Sequence, residues 1–384
     1  MVEVADIFRR YGQAYRQANR LPRRKLKAMG AIEQCRTAKL GGHVDKCNSC
    51  DYMRISYNSC RNRHCPKCQS LAKEKWLMSR QKELLPVEYF HVVFTVPVEL
   101  NHLALRNQRE FYNILFKSAA QTLLELGKDP RYLGAETGFI SILHTWGQNL
   151  LDHPHLHCVV PGGGLSLNGK KWISAREGFF LPVKVMSSLF RGKFLSYLKE
   201  ACKKGKITFP SKQEQSIEQA LLWDKLYRCK WVVYCKKPFG SPEQVLQYLG
   251  RYTHRVAISN NRIISLEDNK VSFRWRDYRD NNKNKVMSIE PFEFIRRFLL
   301  HILPDNFMKI RYFGILSNSN RAKKLKKCRE LLNTGADALL LPLPEEWAEL
   351  LFFLTGLDLR VCPLCKKGKM VKENTIAVPL TDTS

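Results

Sequence analysis

Asp152-His153-Pro154-His155-Leu156-His157-Cys158-Val159-Val160-Pro161, followed by Gly162, Gly163 and Gly164, is the most informative stretch of the chain. Val159 and Val160 continue an apolar, β-branched run from Leu156, so His155-Leu156-His157 reads as the start of a buried strand. Side chains alternate across a strand, which puts His155 and His157 on one face and turns Leu156 into the core. Two imidazoles side by side on a rigid element make two corners of a metal site. Pro154 and the glycines fix the ends of the strand, and Pro154 separates His153 from it. On its own the pair could equally be two ordinary histidines on a half-exposed strand. The rest of the chain decides between these readings.

The 384 residues suffice for two or three domains and a substantial core. Lys plus Arg number 64 against 35 for Asp plus Glu, a net charge of +29. Solubility needs far less, and a phosphate backbone is the usual partner for such an excess. The basic residues are spread through folded-looking sequence instead of forming one amphipathic anchor, which argues against a membrane surface. Met1 to Asp6 carries no charged-then-apolar leader pattern, and the greasiest tract, Leu339 to Leu357, is interrupted by Pro342, Pro344, Glu345 and Glu346. Thirteen cysteines in that setting point to metal thiolates in a reducing cytoplasm rather than to disulfides.

Between Cys35 and Cys68 the sequence becomes short, irregular and dense in ligands. Cys47-x2-Cys50 and Cys65-x2-Cys68 are chelating knuckles fourteen residues apart. Tetrahedral Zn²⁺ coordination accounts for that pattern, and metal binding would supply the folding energy so small a segment lacks. Cys35, His43, Cys60 and His64 offer a second set, so one or two zinc ions are expected. Arg61 and Arg63, with Lys67, make the surface of the module basic, as a DNA contact requires. Cys362-Pro363-Leu364-Cys365 is a further knuckle that would need two ligands from elsewhere.

Along the chain, helical patterning is expected over 4–34 with a basic break at Arg20 to Lys25, and again over 69–85. Strands are expected over 89–97 and 138–146, with a helix over 100–127 between them. Gly164-x4-Gly169-Lys170-Lys171 nearly spells a phosphate-binding loop. Lys171 stands where Ser or Thr is needed, and Asn168-Gly169 instead signals a hairpin, so no ATP site is expected. Helices over 183–204 and 214–228, a strand over 230–235, a hairpin over 263–276 turning at Glu267 to Asn269, a helix over 292–303 and a strand over 309–313 follow. Arg321 to Arg329 forms a basic helix face suited to tracking DNA, and the last dozen residues read as disordered.

Ser241-Pro242-Glu243-Gln244 has the N-cap, first-turn proline and capping-box residue of a helix start. Tyr248 and Tyr252 then lie one above the other on one helix face. Such a pair is usually core packing, but Arg251, His254 and Arg255 crowd the same two turns, which suits a site that receives phosphates.

Three stretches together resemble a known family: Tyr57-Asn58-Ser59-Cys60-Arg61-Asn62-Arg63-His64-Cys65-Pro66-Lys67-Cys68-Gln69, His153-Pro154-His155-Leu156-His157-Cys158, and Tyr248-Leu249-Gly250-Arg251-Tyr252-Thr253-His254-Arg255. The chain is similar to the bacterial rolling-circle insertion-sequence transposases of the IS91 type. These are two-tyrosine HUH endonucleases related to the Helitron transposases. The likeness runs from about residue 20 to 370 and includes Ile310-Arg311-Tyr312-Phe313-Gly314, where Phe313 departs from an expected Tyr.

The resemblance implies an α+β fold, with an antiparallel-rich HUH core flanked by helices and an N-terminal zinc-binding module. Residues 1–84 would form the helical arm and zinc module, 85–315 the catalytic domain, and 316–384 a basic helical region with the last knuckle and a tail. It implies that His155 and His157 hold Mg²⁺ or Mn²⁺ with a third ligand. Gln148, seven residues ahead of His155, is the preferred candidate, and His144 the second. Tyr248 and Tyr252 would be nucleophiles forming a 5′-phosphotyrosine, with Arg251 and Arg255 offsetting phosphate charge. The expected partners are single-stranded element ends and target DNA, with no membrane and no ATP, in the cytoplasm at the nucleoid. A rolling-circle replication initiator with the same chemistry is one alternative, and a non-catalytic zinc-dependent DNA-binding regulator is another.

Overall fold

The protein is described here by a computed structural model covering residues 2–209, 215–236, 244–245, 250, 257–277, 280–333 and 346–378. Two compact units are each assembled from separated stretches of chain. One draws on 1–78, 254–302 and 340–384, the other on 79–253 and 303–339.

The second unit is built on a five-stranded sheet whose order is 310–314, 138–146, 152–161, 89–95, 232–236. Every ladder in it is antiparallel. Alternation assigns its two faces different tasks. Phe90, Val92, Phe94, Phe139, Leu143, Leu156, Cys158 and Val160 enter one apolar core with Phe111 and Leu115 of the helix Gln108–Lys128 and Phe190 and Phe194 of the helix Val183–Lys203. The histidines stand on the opposite face. A small sheet of 135–136, 163–166 and 172–174 follows the glycine run. There Gly169 turns at φ +69° in the hairpin expected at Asn168-Gly169.

The first unit has two helices, Val4–Ala18 and Arg23–Gln34, parted at the expected basic break. The helix Pro291–Leu300 packs on the first of them through edge-on contacts of Phe8 with Phe298 and Tyr15 with Phe292. A sheet of 370–376, 42–47 and 53–57 carries the cysteine-rich segment, and 263–267, 270–277 and 283–289 form another. The α+β class and its antiparallel sheets are therefore as expected.

The expected boundaries at 84/85 and 315/316 do not match these two units. The strand Met370–Ile376 pairs with Gly42–Cys47, with one register shift, which draws the segment near 370 into the zinc module and gives order at 373–376, where the expected disordered stretch begins. The basic helix Arg321–Leu331 belongs to the second unit. It is held there by Lys324 to Glu136 (2.5 Å) and Arg321 to Glu83 (3.2 Å). Those pairs occupy charges that the sequence offered to DNA. The helix expected over 100–127 breaks at Asn107, whose amide donates to the carbonyls of Leu103 and Thr208.

Candidate metal centres

The histidine strand Asp152–Pro161 lies between 138–146 and 89–95, both antiparallel to it. Residues directly opposite on antiparallel strands share a face. His144 is paired with His155 and Ile142 with His157, so His144 joins the two histidines read from the sequence. The ligand atoms of His144, His155 and His157 all lie within 4.8 Å of one another, with His155 Nε2 and His157 Nε2 3.0 Å apart. Adjacent ligands on an octahedral ion bound at about 2.1 Å stand about 3.0 Å apart, so the donor set fits a divalent cation.

Gln148, the preferred third ligand, lies in the turn between the two strands, while the second candidate His144 completes the imidazole group. The pairing is irregular between His144 and Trp146. Three residues of the histidine strand are spanned against two, and Pro154, which has no N–H to donate, falls in the extra length. The strand begins at Asp152, so His153 lies within it and is exposed.

The two histidines read from the sequence are oriented from behind. The Nδ1–H of His155 donates to the carbonyl of His153 at 2.6 Å, leaving Nε2 free to ligate. Nδ1 of His157 meets Nε2 of His91 at 2.9 Å. With His157 ligating through Nε2, its Nδ1–H donates to His91, an arrangement that fixes tautomer and ring plane. Burial pushes His155 and His91 each down to about 3, which keeps both neutral. His91 escaped the sequence reading because it sits inside an otherwise apolar strand. Its parity with Val93, the partner of His157, was the available signal.

The cysteines form two four-thiol groups. Cys35, Cys60, Cys65 and Cys68 are one, and Cys47, Cys50, Cys362 and Cys365 the other. Sulfur separations of 3.5 Å for Cys35–Cys68 and Cys60–Cys68 approach the roughly 3.8 Å expected around a tetrahedral zinc. The two knuckles paired from spacing thus belong to different groups, because each completes its set with cysteines distant in sequence. Four thiols fill each tetrahedron, and neither group contains His43 or His64. His43 Nε2 lies 3.6 Å from Asp45, and His64 Nε2 accepts from Arg63 at 3.4 Å. Arg61 is exposed beside Cys60 with φ 51°.

Tyr248, Arg251, Tyr252 and Arg255 lie outside the described residues. No helix among the described residues is long and apolar enough to cross a membrane.

Comparison with known proteins adds four findings. A family model described as a putative transposase matches residues 138–324, which include the three histidines. One described as a transposase zinc-binding domain matches 7–96, which include six of the eight clustered cysteines. A putative transposase, y4qJ, of Sinorhizobium fredii is 52% identical over 96% of this chain and 94% of its own length. The transposase for insertion sequence element IS801 of Pseudomonas savastanoi pv. phaseolicola is 26% identical over 78% of this chain and 72% of its own.

Proposed function

Because the chain belongs to the IS91-type transposase family, we propose that it moves an insertion sequence by cutting and rejoining single-stranded DNA through phosphotyrosine intermediates. The observation that carries this reading is the group of three imidazoles on one sheet face, with the two Nε2 atoms of the histidine strand 3.0 Å apart. His144, His155 and His157 would hold Mg²⁺ or Mn²⁺. The bound ion supplies Lewis acidity toward a non-bridging oxygen of the scissile phosphate.

The chain's own nucleophiles are the phenols of Tyr248 and Tyr252. A phenolate attacks phosphorus, the bond to the 3′-oxygen breaks, and a 5′-phosphotyrosine and a free 3′-hydroxyl result. A 3′-hydroxyl freed at a second cut then attacks the phosphotyrosine phosphorus, the bond to the tyrosine oxygen breaks and the tyrosine is released, so joining to the new end needs no nucleotide. Were this stretch the helix that its sequence predicts, two phenols four residues apart, about 6 Å in rise, would allow a second transfer while the first strand is still held. Arg251 and Arg255 offset phosphate charge. Arg61 and Arg63, in a chain of net charge +29, contribute to holding the DNA.

The test is covalent trapping on labelled single-stranded DNA from the ends of the element. Wild type with Mn²⁺ should form a protein–DNA adduct, and Tyr248→Phe with Tyr252→Phe should form none while still binding DNA. An adduct formed by the double variant would place the nucleophile elsewhere.

A further inference from the structure

We propose that Cys47, Cys50, Cys362 and Cys365 bind a second zinc ion, which clasps the 359–376 segment onto the zinc module. The matched zinc-binding family model ends at residue 96, so it includes only half of this ligand set.

Several independent features shape the site. Cys47 Sγ lies 3.7 Å from Cys365 Sγ, and Cys50 Sγ lies 3.6 Å from Cys362 Sγ. These spacings are close to the roughly 3.8 Å of thiolates about a tetrahedral zinc. The two knuckles also have matching backbones. Each is Cys-x2-Cys followed by a residue in the left-handed region, Asp51 at φ 57° and Lys366 at φ 58°. The other four-thiol group shows the same habit, with Arg36 after Cys35 and Arg61 after Cys60, both left-handed. A non-glycine residue seldom adopts that conformation without a local demand. Here the chain turns so that amides face sulfur. Ser49 N–H donates to Cys47 Sγ at 3.4 Å and Gly368 N–H to Cys365 Sγ at 3.3 Å. Gly368 is required by proximity as well, since a Cβ there would collide with Cys47 Sγ.

Two hydrogen bonds tie the first knuckle to the residues just after the second. Asn48 N–H donates to Lys369 O at 3.1 Å, and Lys369 N–H to Asn48 Oδ1 at 2.8 Å. From there the strand Met370–Ile376 continues onto Gly42–Cys47. That strand is mostly exposed and has little apolar burial to hold it, so metal at its root supplies what packing does not.

Elemental analysis of the purified full chain should give two zinc ions. Cys362→Ser with Cys365→Ser should give one, as should Cys65→Ser with Cys68→Ser. Hydrogen exchange over 370–376 should accelerate at least tenfold in the first variant only. A second measurement needs no variant. During stepwise chelation of the wild type, alkylation mapped by mass spectrometry should reach Cys47, Cys50, Cys362 and Cys365 as one group. One zinc per wild-type chain, or modification of Cys362 and Cys365 while Cys47 and Cys50 stay protected, would overturn the proposal.

Discussion

At the residue scale, the imidazole group separates ligands from the groups that orient them. His144→Ala removes a ring whose donor atom lies within 4.8 Å of the other two, so Mn²⁺-dependent cleavage should disappear. Gln148→Ala, in the turn, should leave most of it. His91→Ala leaves all three donor rings in place and removes the partner of His157 Nδ1 and the ring stacked on it. Its expected effect is a 10- to 100-fold weaker metal affinity, on the order of the cost of losing an outer hydrogen bond, with activity recovered at high Mn²⁺. Titrating Mn²⁺ against cleavage for the three variants checks the order. Asp152 gives a pH-dependent prediction. Both its carboxylate oxygens are shielded and without a hydrogen-bond partner, and burial pushes it up to about 7. Its unfolded value is near 4, so the folded state holds the proton more tightly and stability declines as pH rises from about 4 to 7. Asp152→Asn in the metal-free protein should therefore be more stable than wild type at pH 8, by on the order of 2 to 4 kcal/mol. Near pH 4 the two should be about equal. Denaturant melts at the two pH values measure this, and equal stability at pH 8 would show a well-solvated carboxylate.

At the element scale, strands with a buried face were legible in the sequence and strands without one were not. Gly138–Trp146 matches its expected range because every residue up to Thr145 is buried, and the Leu156–Val160 run marked its neighbour equally well. Lys283–Ile289 and Met370–Ile376 are ladder strands made mainly of polar residues, so periodicity gave no sign of them. The third position of the histidine group shows the same divide. A count along the chain favours Gln148, whereas pairing register across the strands brings His144 beside His155. The edge strand Ile310–Gly314 ends on a close approach that only glycine permits. Gly314 has φ +60°, and a Cβ there would run into the carbonyl of Thr137. Gly314→Ala should cost more than about 2 kcal/mol, read as a lowered melting temperature and faster amide exchange along 310–314. An unchanged melt would mean that this strand end is free to shift.

At the scale of the whole molecule, the family was legible in three short motifs because each carries its chemistry within about a dozen residues. Which segments make up each unit was not, since that depends on pairings between distant segments that local spacing does not encode. The knuckles show this directly. Cys47-x2-Cys50 and Cys65-x2-Cys68 are neighbours along the chain, yet they belong to different groups. Stability should divide in the same way. The histidine-bearing unit is supported by one large apolar core, whereas the cysteine-rich part of the other relies on its thiol groups. A strong zinc chelator should abolish amide protection across 42–57 and 370–376 and leave that of 89–95 and 152–161 within about twofold. Equal loss in both sets would show that the second unit cannot stand without the first.

The Cys50–Cys362 contact joins residues 312 positions apart, and this sets an order of events during synthesis. At roughly 5 to 20 residues per second, about 15 to 60 seconds pass between the emergence of the first knuckle from the ribosome and that of the second. Throughout that interval the strand Gly42–Cys47 has a bare edge, and half of a ligand set waits for its complement. A message broken or shifted in frame upstream of codon 362 yields a chain in which that wait never ends. The cysteine-rich end of the chain is translated early and completed late.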